Sequence, residues 1–194
     1  MTLGTICSHT WYACMVTSHK TVCCSYQEVA YHWRFAPPGR HVEDTVAACM
    51  DVLTGNGYIF NDTLEADCEA QIEELLELAM RGELEPVKHV KKINGTPFKD
   101  MYEMRWQDIA VVVQDRVSGL KDKRSVLLRL YYIEEGGPWV VGVHVHEKKT
   151  DGTEEEITQA QNEEIQIATN FVMSTESDNW GVSELAGIRQ TRKN

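Results

Sequence analysis

The chain has 194 residues, 42% of them hydrophobic and 25% charged, the proportions of a globular protein with room for one ordinary core. A formal net charge of −11 argues against a generic basic nucleic-acid binder. No apolar run approaches the ~20 residues that span a bilayer, and residues 1–12 lack the basic start and apolar middle of a signal peptide, so a cytoplasmic location and no membrane partner are expected.

Residues 1–29 are rich in Thr, Ser, Cys and aromatic residues without a lasting period. They fit an added strand, a disordered leader or an upstream-extended start, and no chemistry is assigned to them. Residues 30–35 (AYHWRF) read as an edge or first strand, stopped by Pro37, Pro38 and Gly39. Val42, Val46, Cys49, Met50 and Leu53 recur at helical spacing before Gly55 and Gly57. After a loop over 58–63, Cys68, Ile72, Leu75, Leu76 and Ala79 form the apolar stripe of a second helix, 64–81, which Gly82 ends. Two such helices in succession make a hairpin whose stripes need a sheet to cover them.

That sheet is expected from three runs that alternate over at least part of their length, 101–106, 125–133 and 139–147. Residues 109–113 add a short apolar run, and 118–124 read as a charged turn. Residues 134–137 (EEGG) read as a hairpin connection, because glycine supplies the positive φ that such turns need. In 140–146, Val141, Val143 and Val145 are expected on one side, with Gly142, His144 and His146 on the other. A helix follows over 153–171, with Ile157, Ala160, Glu164, Ile167, Ala168 and Phe171 near one stripe and glutamates in its first turn. Residues 174–194 are polar and read as a mobile tail. One domain, 30–173, therefore lies between a leader and a tail.

Charge is unevenly spread. The segment 87–130 is rich in Lys and Arg, whereas 65–85 and 154–164 carry the acid, and the local field matters more than the sum. Arg105 and Arg129 fall within strands, and Lys148 and Lys149 close the third strand. A curled sheet would bring these cations to one concave face, where a phosphate is the natural partner; solvated charge or ion pairs with Glu103 or Asp108 are the bland alternatives. The six cysteines are irregularly spaced, and His9, His19 and His32 complete no recognisable ligand set, so no metal or other cofactor is expected and the thiols are read as structural.

Five runs in this order carry a resemblance: VKHVKKING (87–95), MYEMRW (101–106), LRLYY (128–132), VVGVH (140–144) and KKTDGTEEEI (148–157). On them, residues 31–171 resemble the RelE superfamily of toxins, in its HigB-like, phage-derived branch. The family's second lysine and its proline after the Lys-Lys-Thr run are missing, with Gly152 near the lysine position, and the loop over 109–124 is longer than usual.

The resemblance implies an α+β, RelE-like fold, a curled antiparallel sheet packed against an N-terminal helical hairpin and a C-terminal helix. It also implies the toxin of a type II toxin–antitoxin pair, a metal-independent mRNA endoribonuclease that works on the ribosome and is restrained by a cognate antitoxin protein. On that mapping Arg105 and Arg129 clamp phosphate, Lys148 and Lys149 stabilise charge, and His144 or His146 moves a proton. Tyr131, Lys91 and Lys92 would hold RNA. The alternative is a catalytically degenerate RelE-like protein, phage or defence associated, that binds a partner protein.

Overall fold

A computed structural model describes residues 21–114 and 119–186. The elements run β1 (Ala30–Trp33), α1 (His41–Gly55), α2 (Asp62–Met80), β2 (Val90–Lys92), β3 (Met101–Gln114), β4 (Lys121–Glu134), β5 (Trp139–Glu147) and α3 (Glu154–Thr175), an α+β arrangement. The five strands form one sheet in the order β1-β5-β4-β3-β2. It is mixed rather than all antiparallel: β1 runs parallel to β5, and the other pairs are antiparallel. No helix among the described residues is long and apolar enough to cross a membrane.

The helices form for local reasons. In α2 the Asn61 side chain caps the first turn, accepting from the Leu64 N–H at 2.8 Å. The stripe of Cys68, Ile72, Leu75, Leu76 and Ala79 is buried. The chain leaves α2 through Gly82, whose φ is +69°; a Cβ there would lie 2.7 Å from the Gln27 carbonyl oxygen, so only glycine fits. In α3, Thr153 and Glu156 form a reciprocal capping box.

The hairpin α1–α2 covers one sheet face, burying Met104, Trp106, Leu128, Leu130 and Tyr132 against Cys49, Leu53, Ile72 and Leu76. The opposite face is covered by α3 at one end, where Met101, Ile133, Val141 and Val143 meet Ala168 and Val172. Gly142 sits where β1 passes closest: a Cβ on it would meet the Tyr31 hydroxyl at 2.6 Å and the Trp33 ring at 2.8 Å. Gly142→Ala is therefore expected to push Tyr31 off its 2.8 Å hydrogen bond with Thr45 and to cost about 1–3 kcal/mol. The midpoint of urea unfolding reads this, and an unchanged midpoint would mean that β1 does not pack there.

Four expectations need correction. The runs 101–106 and 109–113 are one strand, β3, broken by a register shift between Trp106 and Ile109, with Asp108 at φ +60°. The expected turn at 118–124 is strand from Lys121 onward, because β3 and β4 continue as a two-stranded ribbon out to Gln114 paired with Lys121. Residues 21–29 of the expected leader are folded in, with Cys23 and Cys24 buried in a short 3-10 turn, Val22–Cys24; residues 1–20 lie outside the described ones. Residues 174–186 of the expected tail are also packed, with Trp180, Val182 and Leu185 buried in the second core. Cys49 and Cys68 are buried free thiols like Cys23 and Cys24.

Candidate functional site

Directly opposed residues of an antiparallel pair share a face, so register places the site. Lys91 opposes Glu103, Glu103 opposes Tyr131, and Tyr131 opposes His144. One step along, Arg105 opposes Arg129, and Arg129 opposes His146. Both rows lie on the α3 side of the sheet. Tyr131 opposes His144 while Tyr132 opposes Gly142, so β5 carries one extra residue. The bulge turns Val143 and His144 to the same face: Val143 enters the second core and His144 reaches Glu164 on α3.

The cluster is charged yet largely covered. Glu103, Arg129, Tyr131 and His146 are buried, with Glu103 at 1% and Arg129 at 4% exposure. Arg129 Nη1 donates to the carbonyls of Trp106 and Leu128 at 3.1 and 2.7 Å. Arg105 Nη1 donates to the Val87 carbonyl at 2.8 Å. Its Nε lies 2.9 Å from Glu103 Oε1, an ionic contact that lacks the alignment of a hydrogen bond. Burial depresses the Lys148 ammonium first, and repulsion from Arg129 and Arg105 adds to it while Glu103 opposes. Four cations, Lys91, Arg105, Arg129 and Lys148, thus face two carboxylates, Glu103 and Glu164. The surplus is positive and invites an anion.

Proton-carrying groups sit in the same layer. His146 Nδ1 is 3.1 Å from the Glu147 carbonyl, which can only accept, so Nδ1 carries the proton. Its Nε2 is then an acceptor, and the Tyr131 hydroxyl donates to it at 3.1 Å. Burial keeps His146 neutral, pushing it down to about 4, and burial raises the Tyr131 phenol. His144 Nε2 meets Glu164 Oε2 at 2.6 Å. The Tyr131 ring stacks on His146 and His144, at centroid distances of 5.1 and 6.3 Å.

Arg105, Arg129, His144, Tyr131, Lys91 and Lys148 are thus brought together. Lys149 is exposed beside the cluster; the Thr153 backbone hydrogen bond first, and then Lys149, hold the Glu156 carboxyl low. Lys92 is not in the site: alternation turns it to the other face, where it pairs with Asp100 at 3.4 Å over the Tyr102 ring. Tyr131 is no free platform for a base, because its ring already lies against two imidazoles. Sequence reasoning assigned no site role to Glu164, although a lone glutamate within an apolar stripe was a usable signal. Of the ion pairs expected for Arg105 and Arg129 with Glu103 or Asp108, the contact found is Glu103 with Arg105.

Two spaces adjoin the cluster. A recess of about 110 Å³ between β5 and α3, lined by His146, Lys148, Gln161 and Glu164, holds a few waters and no nucleotide. On the other side of Arg105, a cleft of about 460 Å³ is lined by Lys88, His89, Trp106 and Gln107 with Glu74 and Glu85, a size that takes a small ligand or a nucleotide. Comparisons of the chain with protein-family models, curated proteins and solved structures return no match.

Proposed function

We propose that the chain is a metal-independent endoribonuclease with a RelE-like, HigB-like fold, the ribosome-dependent, mRNA-cutting toxin of a type II toxin–antitoxin pair. The observation that carries this reading is the cross-strand row of Arg105, Arg129 and His146, with Lys148 beside it and Tyr131 bonded to His146. In the reaction the ribose 2′-oxygen bonds to the adjacent phosphorus, the bond from phosphorus to the 5′-oxygen breaks, and a proton passes from the 2′-hydroxyl to a base while another reaches the 5′-oxygen. Arg105 and Lys148 supply fixed positive charge for the phosphorane oxygens. The linked pair of Tyr131 and His146 is a proton path whose two groups stay neutral at pH 7, and His144, oriented by Glu164 at 2.6 Å, is the second proton-transfer group of this face. RNA would enter along the cleft beside Arg105.

A second reading, a catalytically degenerate RelE-like module that binds a partner protein, is favoured by the carboxylates at the cations: Glu103 sits on Arg105 and Glu164 on His144. Induced expression in a bacterial host separates the two. The toxin reading expects growth arrest with new cuts inside translated frames. It also expects the Lys148→Ala/Lys149→Ala pair, which spares the buried arginine, to reduce cutting by about 10²-fold without unfolding the protein. A folded, soluble wild-type protein that neither arrests growth nor cuts translated mRNA sinks the nuclease and leaves the binding module.

A further inference from the structure

We propose that His32, His41 and Glu184 form a site for one divalent transition-metal ion of the zinc class, which staples the C-terminal segment to the first strand and first helix. The inference stands apart from the nuclease reading, since none of these residues belongs to the Arg105–Arg129 cluster. The three come from separate elements: His32 from β1, His41 from the first residue of α1, and Glu184, far along the chain, from the packed segment after α3. Pro37, Pro38 and Gly39, read from sequence as a strand breaker, turn the chain so that the two imidazoles meet.

The geometry is that of an ion's ligand shell. His32 Nδ1 lies 3.4 Å from His41 Nε2, and His41 Nε2 lies 2.9 Å from Glu184 Oε1. All three donor atoms fall within 4.8 Å of one another. Donors held ~2.0–2.1 Å from a tetrahedral ion stand about 3.3 Å apart, close to the separations of the His32–His41 and His41–Glu184 pairs. The two rings meet edge to face, at 83°. Two imidazoles with one carboxylate suit zinc and its neighbours and leave a fourth position open.

The surroundings favour the site chemically. His32 is 7% exposed, and a metal takes an imidazole in its neutral form. Ser183 Oγ donates to Glu184 Oε2 at 3.0 Å, orienting the carboxylate from behind. A helix N-terminus disfavours a cation, and Glu184 supplies the compensating charge. One contact must yield. The Trp33 N–H donates to His41 Nδ1 at 3.1 Å, which puts the ring proton on Nε2; on binding, that proton moves to Nδ1 and the Trp33 contact is given up. A single neutral hydrogen bond is small beside a three-donor metal site.

The test uses the full chain, stripped with a chelator and titrated with Co²⁺, Zn²⁺ or Mg²⁺. Wild type is expected to develop the visible absorption bands of low-coordinate Co²⁺, saturating at one ion per chain. Zn²⁺ should raise Tm by several degrees, and Mg²⁺ should do nothing. Glu184→Gln keeps an acceptor for His41 and should leave the metal-free Tm little changed while weakening Zn²⁺ at least about tenfold; His32→Gln should abolish the cobalt bands. Wild type without bands or a Zn²⁺-dependent Tm rise overturns the site. So does an equal metal response in wild type and Glu184→Gln, which would place the ion on other groups of the chain.

Discussion

Replacing Trp180 with alanine is expected to destabilise the fold by about 3–5 kcal/mol, the loss found when a large buried aromatic is truncated. Trp180 has no exposed surface and packs with Trp139, their ring centroids 6.1 Å apart, in a core completed by Val172, Val182 and Leu185. A side chain of this size removes roughly 150–250 Å² from water, which at ~25 cal/mol per Å² gives roughly 4–6 kcal/mol, overlapping that range. Asn179, Trp180 and Gly181 all have φ between +52° and +73°, so the chain adopts an unfavourable backbone to seat this one ring, and the Trp180 carbonyl accepts from the Phe35 N–H at 3.1 Å. Met173→Ala, at a side chain 61% exposed, should change stability by no more than about 0.5 kcal/mol. Urea unfolding of the two variants beside wild type makes the comparison, and equal, small effects would mean that residues 174–186 are no part of the domain.

Trp180 also shows why part of the fold was illegible. α1, α2 and α3 were readable because each repeats its apolar positions at the period of its own backbone, and β5 was readable as a strand because its sequence alternates, although its bulge sends Val145 to the opposite core from Val141 and Val143. The segment after α3 has no period: Trp180, Val182 and Leu185 are brought to the core by a 3-10 turn and left-handed residues, and three apolar residues among polar ones look like a tail. The outer half of the β3–β4 ribbon failed for a related reason. Lys121, Lys123 and Arg124 are exposed, so no buried face imposes alternation on that stretch.

The site was legible by residue type and less so by arrangement. Arg105, Arg129 and His144 share a face because strand register is regular there, and the two-residue period sends Lys91 and Lys92 to opposite faces. The bulge at Val143 and His144 could not be read, since VVGVHVH alternates without a break in sequence while the structure inserts a residue. Nor does sequence carry long-range partners: Glu164 on His144 and Glu184 on His41 arise only once α3 and the segment after it fold back over the sheet. The parallel pairing of β1 with β5 belongs to the same class, because it joins strands more than a hundred residues apart.

Glu134 sets the second expected result, a stability profile that is flattened in wild type and rises with pH in Glu134→Gln. Its carboxylate accepts from the Thr21 hydroxyl and from the Val22 N–H at 3.1 Å, tying the first described residues to the end of β4. Burial, the largest influence, lifts it to about 7, against these two hydrogen bonds, which pull it down. Between about pH 4.5 and 7 the folded protein therefore holds a proton that the unfolded chain has lost. Its contribution is complete below 4.5 and is lost as pH rises to 7, by roughly 3 kcal/mol at about 1.4 kcal/mol per pH unit. His146 acts the other way: burial pushes it down to about 4, so between 6.5 and 4 the unfolded chain binds the extra proton and stability is lost as pH falls. In wild type the two slopes oppose each other from about pH 4.5 to 6.5 and flatten the profile. Glu134→Gln keeps an acceptor for Thr21 and Val22 but does not titrate, so the His146 slope is exposed and the variant gains stability as pH rises. Urea unfolding at intervals from pH 5 to 8 should show the variant and wild type close together at pH 5 and the variant ahead by roughly 3 kcal/mol at pH 8. A difference that stays constant with pH would mean that Glu134 is solvated in the folded state and that Thr21 and Val22 are not held by it.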